Sequence, residues 1–130
     1  LEITGLASFA SHHPYDLPAA QRKLLTAACA VASGSPFMAF DEPSAGLSQI
    51  ERSIFENLLT HLRERGRGLL VVSHDLGLLL PFASKALILS EGKNIYCGEA
   101  SIVLQQEGLL RKAGLRLPMT LRLAALLGVR

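Results

Sequence analysis

The run Pro36-Phe37-Met38-Ala39-Phe40-Asp41-Glu42-Pro43 constrains this chain more than any other stretch. Its apolar residues stop at two adjacent carboxylates and a proline. A short continuous apolar run bounded by breakers reads as a buried strand of a parallel sheet. Asp41 and Glu42 then stand at its carboxyl end, the edge where open α/β sheets gather their ligand chemistry. A second run, Leu69-Leu70-Val71-Val72, ends in Ser73-His74-Asp75. Two buried strands that deliver Asp-Glu and a His to one edge form the pattern of a phosphoryl-transfer site with a metal ion.

The 130 residues suffice for one compact domain with one core. With 49% apolar residues and only 5% aromatic, that core must be built mostly from Leu, Ala, Val and Ile. A net charge of +2 is too small to argue for nucleic acid. The densest basic groups, Arg22-Lys23, Arg63, Arg65 and Arg67, read as a solvated helix face. Cys29 and Cys97 form no CxxC pair and no ligand cluster. Cys29 lies in an Ala-rich helical run and reads as a small core residue. Two such thiols fit an intracellular, reducing location. His12-His13 has no recognised ligand spacing to either cysteine, which leaves a redox or metal-binding protein with little support. No secretory leader is visible. The most apolar window, Leu69 to Leu89, is broken by His74, Asp75, Pro81 and Lys85, so no membrane span is expected. A first residue Leu1, not Met, fits a fragment, a processed product or a trimmed piece.

The pattern predicts a short helix within Leu1–Ala10, a breaker at Ser11–Tyr15, and a helix from about Pro18 to Ala32 capped by Asp16. The strand Phe37–Phe40 follows. Ser48-Gln49-Ile50-Glu51 has the form of a capping box. The helix behind it carries Ile50, Ile54, Leu58, Leu59 and Leu62 at helical spacing, and Gly66 stops it. A strand Leu69–Val72, a short helix Leu76–Ala83 and a hairpin of Ala86–Leu89 with Ile95–Cys97 come next. A helix over Glu99–Gln106 and two short helical stretches, separated near Leu117-Pro118, complete the chain.

Tyr15-Asp16-Leu17-Pro18-Ala19-Ala20-Gln21, Phe40-Asp41-Glu42-Pro43-Ser44-Ala45-Gly46-Leu47 and Ser73-His74-Asp75, in this order and at these intervals, resemble the second half of an ABC-type ATPase domain. The resemblance covers about residues 11 to 100 and implies signature motif, Walker B with catalytic Glu, D-loop and switch His. Ala113-Gly114-Leu115-Arg116-Leu117-Pro118, with the Leu/Ala-rich stretch behind it, resembles the tail of energy-coupling-factor and cobalt/nickel importer ATPases. The implied fold is α/β, a partial P-loop NTPase with a mainly parallel sheet flanked by helices. Residues 1–106 would be the C-terminal half of the ATPase domain and 107–130 a helical tail.

On this resemblance Asp41 holds Mg²⁺ through water while the ion bridges the phosphates of ATP. Glu42 orients and deprotonates the attacking water. His74 contacts the γ-phosphate. Ser73-His74-Asp75 is no hydrolase triad, because three consecutive residues cannot all face one point. The competing reading of Asp41-Glu42, two acids closing a strand, leaves the matching loop and His without a reason.

The chain departs from its family at Leu17–Gln21, where the usual signature is Leu-Ser-Gly-Gly-Gln and holds the γ-phosphate bound to the opposite subunit. Pro18 offers neither hydroxyl nor N–H. Ala19 and Ala20 put methyl groups where backbone must approach closely. The trans contact is therefore expected to be weakened. The alternative is that Asp16-Leu17-Pro18 is now simply a helix start. In the D-loop, Ser44-Ala45-Gly46-Leu47-Ser48, the serine replaces the usual final Asp, which keeps a helix cap but puts coupling between the two sites in doubt.

No G-x-x-x-x-G-K-[ST] loop occurs in the sequence, since Gly92-Lys93-Asn94 is a hairpin turn. The strands on either side of the missing one would have open apolar edges, which invite pairing with another chain. The functional expectation is an ATP-binding subunit, or part of one, of an ABC-type importer. It would be incomplete without a P-loop half and inactive alone. Its partners would be a second ATPase domain and transmembrane subunits, with no direct membrane insertion, at the cytoplasmic face of the membrane. The other expectation is a non-catalytic, degenerate module that dimerises with or regulates an intact ATPase.

Overall fold

Local sequence dictates most of the boundaries in the computed structural model, which describes residues 2–103 and 105–127. The ends of the chain, Leu1 and 128–130, lie outside the described residues, as does Leu104. Two compact units are present, Leu1–Ser73 and His74–Arg130.

In the first unit, 3₁₀ turns at Ala7–Phe9 and Pro14–Asp16 lead into helix α1, Ala19–Ala32. The short helix expected within Leu1–Ala10 is a single 3₁₀ turn. Asp16 does not cap α1. It ends the second 3₁₀ turn, Leu17 is extended, and Pro18 stands at the N-cap with no side-chain hydrogen bond. Proline's fixed φ sets the helix entry two residues beyond the reach of an Asp16 cap. Cys29 is exposed, so it is not the core residue expected. The buried stripe of α1 runs through Leu24 and Ala27.

Strand β1, Phe37–Asp41, pairs in parallel with β2, Gly68–Val72. Between them helix α2, Gln49–Glu64, provides the crossover. The capping box is formed. Ser48 accepts from the Glu51 N–H at 3.4 Å, and the Glu51 carboxylate accepts from the Ser48 N–H at 2.7 Å. Gly66, at φ +71°, ends the helix. Its N–H reaches Arg63 O and that of Arg67 reaches Leu62 O, the paired bonds of a Schellman motif.

The buried face of α2 is Phe55, Leu58, Leu59 and Leu62. Ile50, expected on it, is 76% exposed. Phe55 takes its place and meets Phe40 of β1 edge to face, ring centroids 5.4 Å apart. The strands are not buried on both faces as their composition suggests. Met38 and Phe40 are inside, while Phe37, Ala39, Leu70 and Val72 lie on an exposed face. β2 pairs with β1 alone among the described residues.

In the second unit, α3 (Leu76–Leu79) is capped by Asp75, whose carboxylate accepts from the Leu78 N–H at 3.2 Å. It is shorter than expected, because Leu80 is already its C-cap and Pro81 follows. Strands β3 (Lys85–Ser90) and β4 (Lys93–Glu99) form an antiparallel hairpin. Glu91 and Gly92, at φ +50° and +72°, give it the left-handed two-residue turn that matches strand twist. Helix α4 (Ala100–Val103), shorter than expected, precedes α5 (Glu107–Lys112) and α6 (Met119–Leu127). Leu76, Ile88, Val103 and Leu110 make the core of this unit. Leu87 and Leu89 of β3 remain exposed. The architecture is α/β, one parallel pair and one antiparallel pair with helices. Among the described residues no helix is long and apolar enough to cross a membrane.

Candidate functional site

The register Asp41↔Val72 ends both strands of the parallel pair at the same level. The residues just beyond them therefore meet. The Glu42 N–H donates to Val72 O at 2.8 Å, extending the ladder by one bond. The Ser73 hydroxyl donates to a Glu42 carboxylate oxygen at 3.0 Å. Glu42 itself sits at φ +42°, in the left-handed region that costs a non-glycine residue about 1–2 kcal/mol. The surrounding bonds hold it there.

Asp41 is exposed at the tip of β1, and no hydrogen bond or ion pair engages its carboxylate among the described residues. No cluster of three or more His, Cys, Asp or Glu side chains exists there that could cage a metal. A single free carboxylate at a strand end suits Mg²⁺, which keeps several waters and binds through one or two carboxylates plus substrate phosphates. The donor set fits that ion.

The loop after Glu42 folds on itself. Ala45 N–H donates to Glu42 O at 3.2 Å and Leu47 N–H to Ser44 O at 3.1 Å. Gly46, at φ +76°, supplies a conformation that side chains resist. Ser48 then caps α2.

Leu17 is buried, whereas Pro18 and Ala19 are exposed at the start of α1. Ala20 is half-buried. Gln21 reaches across from α1, its Nε2 donating to Glu51 Oε1 at 3.4 Å. The expected signature segment and the expected D-loop are thereby tied through one carboxylate. The Ser48 N–H and then its hydroxyl, with Gln21 adding, hold the Glu51 carboxyl below the usual range. The Gln21 side-chain oxygen, Oε1, is buried without a partner among the described residues.

His74 opens the second unit, exposed, directly before the Asp75 cap. A cavity of about 360 Å³ in that unit is lined by Glu107, Arg111, Arg116 and Arg122 over a leucine floor, and none of the anticipated site residues lines it.

One participant escaped the sequence reading. Lys23, taken there as part of a solvated face, donates from Nζ to Glu42 O at 2.8 Å and to Ala45 O at 2.6 Å. Nothing in the local pattern distinguishes it from a surface lysine. Only its position two residues past Gln21 could have hinted at it.

No protein-family profile matches the chain. Known proteins do. The energy-coupling factor transporter ATP-binding protein EcfA of Methanocaldococcus jannaschii is 30% identical over 127 residues, 98% of this chain and 46% of that protein. EcfA of Methanococcus maripaludis gives the same identity and coverage. Among solved structures, cbiO1 from Clostridium perfringens, part of the ABC transporter complex cbiONQ, superposes with a TM-score of 0.69 at 25% identity. That match covers 99% of this chain and 51% of cbiO1. The chain spans about half the length of these relatives or less.

Proposed function

We propose, from the homology of this chain to ABC transporter ATP-binding proteins, that it supplies the metal-and-water half of an ATP-hydrolysing site in an importer of the energy-coupling-factor type. The observation that carries the reading is the Asp41-Glu42 pair. One carboxylate is free at a strand end, and the next is held by the Ser73 hydroxyl while the Glu42 N–H donates to Val72 O. In this role Asp41 takes hydrated Mg²⁺ of MgATP, and the ion, when bound, neutralises charge developing on the phosphates. Glu42 accepts the proton of the attacking water as general base. His74 stands as the γ-phosphate contact. Leu17, Pro18, Ala19, Ala20 and Gln21 face the nucleotide of an opposing domain, and Ser44 to Ser48 connect the two sites.

The phosphate-binding Lys and backbone amides come from a P-loop-bearing half. β2 pairs with β1 alone among the described residues, and its other edge is where such a half would continue the sheet. Transmembrane subunits, and a place at the cytoplasmic face of the membrane, belong to the same reading. So does the division into residues 1–106 of ATPase domain and a tail from 107.

The test is MgATP hydrolysis by the 130-residue chain alone and after mixing with a P-loop-bearing half domain. The expected result is turnover only in the mixture, abolished by Glu42→Gln. Robust turnover by the chain alone, lost in Glu42→Gln, would overturn the incomplete-site reading.

A second reading is supported by α1, whose N-cap Pro18 has no hydrogen-bonding side chain and is followed by two alanines. On that reading the chain is a degenerate module that packs against or regulates an intact ATPase. The mixture with a P-loop-bearing half then gives no turnover, and Glu42→Gln leaves the rate of an intact partner ATPase unchanged, which separates the two.

A further inference from the structure

We infer that Lys23 is a positioning residue for Glu42: its ammonium group clasps the main chain of the Glu42–Ala45 turn and ties it to the helix that the signature segment opens. The inference rests on the reading of Glu42 as general base.

Two carbonyl oxygens three positions apart in the loop, of Glu42 and Ala45, converge on one nitrogen at 2.8 and 2.6 Å. A solvated lysine would leave its ammonium in water, and a half-buried one gives up much rotamer freedom to do otherwise. The geometry suits Lys in particular. A compact ammonium with three donors can serve two acceptors at one point, whereas a guanidinium spreads its donors along a planar fork.

The turn needs such a hold. Glu42 is in the left-handed region, and strained residues persist only where surrounding structure over-determines them. Its N–H is fixed by Val72 O and its carboxylate by Ser73, both from the end of β2. Its carbonyl is fixed by the Ala45 N–H from within the loop and by Lys23. Lys23 alone among these partners comes from α1. It lies two residues after Gln21, which bonds the Glu51 carboxylate at the start of α2. A shift of α1 is thus delivered to the Glu42 backbone through a charged hydrogen bond, so that engagement of the signature segment and alignment of the water-activating carboxylate become linked events.

The test uses the full chain, isotopically labelled, as wild type, Lys23→Met and Lys23→Arg. Amide hydrogen exchange is read at Ala45 and Leu47 and, as controls, at Leu58 and Met38, with the Glu42 side-chain carboxyl ¹³C resonance as a spectroscopic signature. In Lys23→Met the Ala45 and Leu47 amides exchange about tenfold faster or more and the Glu42 resonance moves, while the controls keep their protection. Lys23→Arg recovers part of both. An unmoved Glu42 resonance, or equal acceleration at loop and controls, would overturn the inference, the second by showing a merely structural lysine. Should Lys23→Met fail to fold, Lys23→Gln is read the same way. These readouts need no turnover, so they stand apart from the hydrolytic reading. In a mixture that hydrolyses MgATP through Glu42, Lys23→Met lowers kcat about tenfold while KM stays within about twofold.

Discussion

The Ser73 hydroxyl donates to the Glu42 carboxylate at 3.0 Å, so the residue that follows the second strand of the parallel pair aims the acid that follows the first. This contact exists because Asp41 and Val72 are in register. A slip of one position would put the two side chains on opposite faces.

In a mixture that turns over MgATP through Glu42, Ser73→Ala is expected to lower kcat about tenfold, equivalent to about 1.4 kcal/mol of transition-state stabilisation. Ser73→Thr, which keeps the hydroxyl, retains most of the rate. Steady-state phosphate release measures both.

Ser48→Ala removes the cap of α2 and should destabilise the first unit by about 1 kcal/mol, read from the urea midpoint. Glu51 adds a pH dependence. Its folded-state carboxyl is depressed, chiefly by the Ser48 N–H. The stabilisation is therefore fully present above the ordinary value of 4.5 and is lost as pH falls through the lower folded value. Glu51→Gln can keep the box while abolishing this slope. Urea midpoints of the two proteins should diverge near neutral pH and converge in acid.

At the β3–β4 turn, Glu91 occupies a left-handed position at φ +50° directly before Gly92. Glu91→Asn should raise stability by about 0.5–1 kcal/mol, because Asn tolerates that conformation and Asn-Gly favours the turn. Thermal unfolding of the isolated variant provides the measurement.

The exposed face of the parallel pair should make the chain self-associate when alone. Leu70→Thr with Val72→Thr, both positions about half exposed, should cut that association several-fold at little cost in stability. Light scattering across a concentration series decides it. A wild type that stays monomeric throughout would count against the expectation.

Helix and strand positions were legible because capping chemistry and apolar runs are local. Ser48-x-x-Glu51 and Gly66 mark the two ends of α2 without any knowledge of the fold. What escaped depended on neighbours. Ile50 has the right spacing for the buried stripe, yet Phe55 fills the space over Phe40 and Ile50 faces out. Phe37 and Leu70 look like interior residues because their composition suits a covered sheet, and here both are about half exposed. Asp16 is a good cap residue that a proline two positions later makes irrelevant. Lys23 was illegible for a different reason. Its two acceptors are main-chain carbonyls, which carry no signature in a sequence.

The parallel pair has a kinetic consequence. Phe37 meets Gly68 only after about thirty intervening residues have been ordered, α2 among them. The β3–β4 hairpin closes across two residues and can form on the microsecond scale. Non-local pairing is the slow step in folding. Asp41 and Glu42, whose placement depends on that pairing, should therefore be among the last groups of the chain to reach their working positions and among the first to lose them.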